Sequence, residues 1–221
     1  MKINSLFISD LHIGSPVCQS EKILKVLESY NFETLYIVGD TFDDKCPTRL
    51  NKKCWKVLTK IRSITKNKKV YALKGNHCRE IIDWMGEFLG CEVIESIDIE
   101  IDQKNFLVIH GDCFDDVITK YSRLSYIAGK LYYYLQKIDL EFCLKIKSKF
   151  KFLSKCNAQI QKNAIDHCAK NHYKGVILGH THDKADFEKG GVRYVNLGCF
   201  VEKTCSYATI DLNGKLKLHE I

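Results

Sequence analysis

The sequence predicts an α/β domain built on a parallel sheet, with a helical stretch inserted late in the chain. Three observations carry this. Apolar runs of strand length alternate with amphipathic helical patterns through the first half, and such alternation implies right-handed crossovers between parallel strands. Residues 114–171 are then helical in pattern, rich in Lys and Tyr, and free of strand signals. Strand-like runs resume after that stretch and are punctuated by Gly-Gly and Asn-Gly turns.

The elements follow in order. Ile3–Ser9 reads as the first strand, and Glu21–Tyr30 as a helix with Ile23, Leu24 and Leu27 on one face. Thr34–Val38 is a short buried strand ending at Gly39-Asp40. Pro47 suits the start of a helix that runs to about Thr65. Val70–Leu73 is the third strand and Glu80–Leu89 the third helix. Ile97, Ile99 and Ile101 alternate with acidic residues, and with a turn over Gln103–Asn105 and the run Phe106–Ile109 they predict a hairpin. Gly175–Leu178 is another buried strand, and turns at Gly190-Gly191 and Asn213-Gly214 predict a closing meander. The expected organisation is one domain over 1–221 carrying the helical insertion 114–171.

Composition bounds the function. With 221 residues, 45% of them apolar, the chain is long enough for one real core, and collagen-like, Pro-rich and disordered classes are excluded. The N-terminal apolar run is too short for a secretory signal, and a spanning helix is not expected. The eleven Cys are scattered and form no Cys-x-x-Cys pair, which suits reduced thiols in the cytoplasm better than a disulfide framework or a thiolate zinc site. The net charge of +7 comes mostly from Lys and is weak support for anionic partners.

Five short motifs follow the strands: Asp10-Leu-His12, Gly39-Asp40-Thr-Phe-Asp43, Gly75-Asn76-His77, His110-Gly111-Asp112 and Gly179-His180-Thr-His182. Ligand sites of open α/β sheets lie outside the carboxyl ends of the strands, so the five segments are expected to meet at one edge. Each motif alone is common; their joint occurrence in this order carries the argument. Carboxylates, imidazoles and one carboxamide suit divalent Mn, Fe or Zn. They are too many for one ion, and a two-metal site sharing a carboxylate accommodates them. The chemistry implied is phosphoester or pyrophosphate hydrolysis.

The ordered set resembles the calcineurin-like metallophosphoesterase superfamily. Ser9–Gly14, Thr34–Asp40, His110–Asp115 and the run Tyr194–Thr204 are similar to its UDP-2,3-diacylglucosamine pyrophosphohydrolase branch, which acts in lipid A synthesis. The resemblance implies a four-layer α-β-β-α double sandwich and two divalent ions, most often Mn, with Fe, Zn or Mg as alternatives. Asp10, His12, Asp40 and His182 would hold one ion, and Asp40, Asn76, His110 and His180 the other. Asp40, His110 and His77 would form the catalytic set, with His77 contacting phosphate or protonating the leaving oxygen beside Asn76. Asp43 and Asp112 would orient the metal-binding imidazoles, and Asp115 and Asp116 are further candidates. The branch reaction yields UMP and 2,3-diacylglucosamine 1-phosphate at the cytoplasmic face of the inner membrane.

Two departures from the family pattern stand out. Cys78 replaces the Asp of Gly-Asn-His-Asp, a carboxylate that would orient His77, and Cys199-Phe200 replaces an Asp-Trp pair. The insertion admits two readings. One is a cap whose apolar groove takes acyl chains, with Tyr121 and Lys145 contacting substrate and Lys147 facing an anionic membrane surface. The other is a helical pair packed on the sheet with solvated Lys outside. Nucleic-acid binding ranks below lipid because Arg is scarce, and no feature points to an obligate protein partner. Another phosphomonoester or phosphodiester substrate is the alternative function, and a non-catalytic scaffold on the same fold is the third. His167, His172 and His219 are assigned no role.

Overall fold

Strands that are apolar at every position must be covered on both faces, and this requirement sets the layering. The computed structural model describes residues 1–44, 49–116 and 151–221, with side chains of the last segment described from residue 156 onward. The elements are β1 (Ser5–Ile8), α1 (Ser20–Ser29), β2 (Thr34–Val38), α2 (Lys52–Ile64), β3 (Lys69–Leu73), α3 (Ile82–Leu89), β4 (Glu92–Ile94), β5 (Ser96–Ile101), β6 (Lys104–Ile109), α4 (Lys151–Lys170), β7 (Gly175–Leu178), β8 (Ala185–Lys189), β9 (Val192–Asn196), β10 (Ser206–Ile210) and β11 (Leu216–Glu220). They form a six-stranded sheet in the order β11-β10-β1-β2-β3-β4 and a five-stranded sheet in the order β5-β6-β7-β9-β8. Strands β1 to β4 are mutually parallel, as are β6, β7 and β9.

Side chains alternate across each strand. Leu6, Ile8, Leu35 and Ile37 point to a core shared with Ile23, Val57, Leu58, Ile61 and Met85 of α1, α2 and α3. Phe7, Tyr36 and Val38 point the other way and meet Val108, Ile177 and Val195 of the second sheet. That sheet's outer face, with Val176, Leu178 and Tyr194, is covered by Ile160, Ala164, Ile165 and Cys168 of α4. The result is the expected α-β-β-α sandwich. Between the sheets, Phe7, Tyr36 and Tyr71 stack in register across β1, β2 and β3, with centroids 4.6 and 5.3 Å apart.

Several boundaries differ from the sequence reading. Helix α2 begins at Lys52 because the Asn51 side chain accepts hydrogen bonds from the Lys53 and Cys54 amides; Pro47 lies outside the described residues. Helix α3 begins at Ile82 rather than at Glu80. The β5–β6 hairpin turns on Asp102 and Gln103, both with positive φ, and Lys104 and Asn105 already belong to β6. Strand β4 was not anticipated; it is three residues long and pairs with β3. Phe114 and α4 form a core layer beneath the second sheet, and Asn163 Nδ2 donates to the Phe114 carbonyl at 2.9 Å. Tyr121, Lys145 and Lys147, and with them the cap, fall outside the described residues.

Candidate metal centre

The parallel strands end side by side, so the loops that follow them converge. Asp10 follows β1, Asp40 follows β2, Asn76 and His77 follow β3, His110 follows β6, and His180 and His182 follow β7. Asp10, His12, Asp40, His180 and His182 all have φ between 36° and 65°. Few L-residues adopt this left-handed backbone, and its concentration at five candidate ligands marks a locally strained, functional rim. The loops also approach closely. A methyl group on Gly75 would overlap Asp40, and one on Gly179 would overlap Ser9 and Asp10, so only glycine leaves room for these carboxylates.

Each carboxylate is held by one oxygen and presents the other. Asp10 Oδ2 accepts from the His180 amide at 2.9 Å and from the Ser9 hydroxyl. Its Oδ1 is buried without a well-aligned hydrogen bond, although His182 Nε2 stands 3.1 Å away. Asp40 Oδ1 accepts from the His77 amide at 2.9 Å. Asp40 Oδ2 faces His110 Nε2 at 3.4 Å and His12 Nε2 at 3.9 Å. The His12 and His182 Nε2 atoms are 3.2 Å apart, and His110 Nε2 lies 3.3 Å from Asn76 Oδ1.

The imidazoles are oriented from behind. His110 Nδ1 donates to the Val38 carbonyl at 3.2 Å, which turns Nε2 towards the centre. His12 Nδ1 lies 3.4 Å from Asp43 Oδ1, whose second oxygen takes Arg49. His180 Nε2 pairs with Asp115 Oδ2 at 3.0 Å, leaving Nδ1 for a ligand, and its ring packs on His110. Asp112 instead faces Arg79, at 3.5 Å. His77 is exposed at the mouth with its ring 4.8 Å from that of His12, and its Nδ1 donates to the Asp43 carbonyl at 3.0 Å. A backbone carbonyl therefore occupies the orienting role expected of the missing Asp. Cys78 lies in the core, where burial pushes its thiol up to about 12, so it is no nucleophile.

Charge is unevenly matched among the side chains of the site. Burial opposes ionisation of Asp10, but His182 and then His110 outweigh it and hold the carboxyl down to about 2. Burial is likewise overcome at Asp40, by His110, His77 and His12, which hold it well below the carboxylate range. Burial would also keep His110 neutral, yet Asp40 and Asp10 raise it to about 10. His12 is raised too, against burial, by Asp43 and Asp40. Two buried carboxylates thus draw protons onto neighbouring imidazoles. An incompletely bonded carboxylate oxygen ringed by imidazole nitrogens fits divalent cations, which replace those protons when they bind. The structure gathers Asp10, His12 and His182 in one group and Asp10, Asp40 and His110 in another, each with one donor atom per residue within 4.8 Å of the others; Asn76 Oδ1 adjoins the second group through His110.

Sequence reasoning assigns no role to Ser9, Asn196 or Glu202, and treats Cys199 only as a departure from the family pattern. Ser9 supports Asp10. Asn196 ties the last ligand loop down, donating to the Gly179 carbonyl at 2.7 Å and to Thr181 Oγ1 at 3.0 Å. Cys199 and Glu202 come up beside His182. Asn196 lies inside the Tyr194–Thr204 run, which is the one signal that could have found it.

A family model for the calcineurin-like phosphoesterase matches residues 3–184. No curated protein sequence matches the chain. Among solved structures, an archaeal phosphodiesterase is 19% identical, with a TM-score of 0.50 over 98% of this chain and 99% of its own. YfcE, a phosphoesterase from E. coli, is 15% identical, with a TM-score of 0.53 over 98% and 97% of the two chains. Vacuolar protein sorting 29 from Cryptosporidium parvum is 16% identical, with a TM-score of 0.52 over 98% and 95%. At these identities the likeness is one of fold.

Proposed function

The chain belongs to the calcineurin-like phosphoesterase family and is a metal-dependent phosphoesterase; from that premise we propose that it hydrolyses UDP-2,3-diacylglucosamine to UMP and 2,3-diacylglucosamine 1-phosphate. The observation that carries the hydrolytic part is Asp40 Oδ2, which faces both His12 and His110 and so suits a carboxylate shared by two ions. The substrate rests on the branch-like segments Ser9–Gly14 and Tyr194–Thr204, which flank the centre: the Phe200 amide donates to the Asp10 carbonyl at 3.0 Å. A bound divalent pair, most often manganese in such enzymes, neutralises phosphoryl oxygens and makes water ionisable near neutral pH.

The chain's own residues do the rest. Asn76 and His77, at the mouth, contact the phosphate, and His77 Nδ1, tied to Asp43, leaves Nε2 for a substrate oxygen. Water adds at the α-phosphorus, and the phosphorus–oxygen bond to the sugar phosphate breaks. Tyr121 and Lys145 belong to this proposal as groups contacting the lipid. So does peripheral contact with an anionic surface at the cytoplasmic face of the inner membrane. Among the described residues no helix is long and apolar enough to cross a membrane.

Purified protein with manganese should release UMP from UDP-2,3-diacylglucosamine and lose that activity on chelation. Cleavage of bis-p-nitrophenyl phosphate or single-stranded DNA without UMP release would overturn the lipid substrate. It would leave a phosphodiesterase, the activity of the archaeal neighbour.

A further inference from the structure

One ligand-bearing cluster shares His182 with the centre and extends away from it through Cys199 and Glu202. A ring nitrogen of His182, Cys199 Sγ and a Glu202 carboxylate oxygen all lie within 4.8 Å of one another. The loop that brings them together is firmly tied. The Gly198 amide donates to Asn196 Oδ1 at 2.9 Å, and Ser206 Oγ donates to the Leu197 carbonyl at 2.6 Å. Cys205 Sγ donates to the Glu202 carbonyl at 3.3 Å, so both ends of the loop are anchored. Cys199 is buried, while His182 and Glu202 are half-buried and give an ion a way in.

We propose that His182, Cys199 and Glu202 form a third cation site, selective for a thiophilic divalent ion such as zinc, which competes with the paired centre for His182. The donor set differs in kind from that of the pair. One sulfur, one nitrogen and one oxygen, completed by water, suit a tetrahedral zinc-like ion, whereas the all-oxygen-and-nitrogen pair accepts harder ions. Binding involves no redox step: the Cys199 S–H bond breaks, the proton goes to solvent, and the thiolate sulfur bonds the ion. Competition follows from position. The same imidazole approaches Asp10 Oδ1 at 3.1 Å and His12 Nε2 at 3.2 Å, so an ion drawn towards Cys199 loosens one corner of the paired site. Excess zinc would then restrain the enzyme without occupying its substrate pocket.

Cobalt is the probe that tests this, because sulfur-to-cobalt charge transfer gives a near-ultraviolet band that oxygen and nitrogen ligands do not. Manganese-loaded full-length protein titrated with cobalt should develop that band. Cys199→Ser should abolish it, Cys78→Ser should leave it intact, and Glu202→Gln should raise the half-saturating cobalt by about tenfold or more. Half-inhibition by zinc should shift upward by a similar factor in Glu202→Gln. A wild-type titration without the band, or a band unchanged by Cys199→Ser, overturns the proposal. If Cys199→Ser does not fold by circular dichroism, an unshifted titration in Glu202→Gln overturns it instead. The band is independent of hydrolysis, so its absence leaves the phosphoesterase reading intact, and loss of UMP release leaves the third site intact.

Discussion

In the proposed two-ion arrangement, Asp10, His12 and His182 make up one half of the centre and Asn76, His110 and His180 the other, with Asp40 between them. The first half has a carboxylate of its own in addition to the shared one; its two imidazoles approach within 3.2 Å of each other. The second has a neutral carboxamide where the first has Asp10, and Asp115 is bonded to His180 from behind. Two cations in such a pair do not face equal charge. The lesson is that seven ligands of similar type can build one tightly held ion and one that exchanges more readily, because electrostatic attraction grows with each unscreened carboxylate in a buried site.

The largest effect expected is from Asp40→Asn. With its shared oxygen uncharged, both ions should be lost and hydrolysis should fall below detection, as measured by metal content and manganese-dependent turnover; retention of the second ion at full occupancy would break the idea that one carboxylate serves both. Asn76→Asp is the sharper test of the asymmetry. It adds a carboxylate to the poorer half and should tighten the second manganese by about tenfold, roughly 1.4 kcal/mol, while leaving the first step of the binding isotherm in place. A change confined to the first step would reverse the assignment of the halves.

The smallest effect is on the metal-free protein and is read by pH. His110 is raised from 6.5 to about 10, so its contribution to stability is complete below pH 6.5 and is lost as pH climbs through 10. Asp10 is lowered from 3.8 to about 2, so its contribution is present above pH 3.8 and is lost as pH falls through 2. Chelated protein should therefore be most stable between these limits, and its melting temperature should drop by about 5 °C between pH 7 and 10. With manganese bound, the imidazoles are already neutral and the curve should flatten over that range. Parallel curves with and without metal would break the link between imidazole protonation and cation binding.

The sequence made the rim of this site legible because its chemistry sits in contiguous motifs at strand ends, and strand ends are where apolar runs stop. The layers were legible for a related reason: strands such as β2 and β7, apolar throughout, demand cover on both faces. What could not be read depends on chain segments meeting. Strand β4 has three residues, too few for a period, and exists because β3 offers an open edge. Asp115 is a candidate orienting group by sequence, but that it pairs with His180, 65 residues away, is set by the fold, and Asn196 holds Gly179 through a side chain that reads locally as a strand residue. The Cys199 and Glu202 approach to His182 needs the loop after β9 folded back beside β7. The replacement of the expected Asp by the Asp43 carbonyl as the partner of His77 is equally invisible, since no side chain announces it.

The left-handed backbone at Asp10, His12, Asp40, His180 and His182 bears on portability. These five side chains reach the rim because the peptide on either side is turned into a shape that an ordinary strand-to-helix loop lacks. A designer who transplants the residues onto another α/β scaffold, without the glycines and the Ser9 and Asn196 tethers that hold those turns, would carry over the alphabet of the centre but not its spelling.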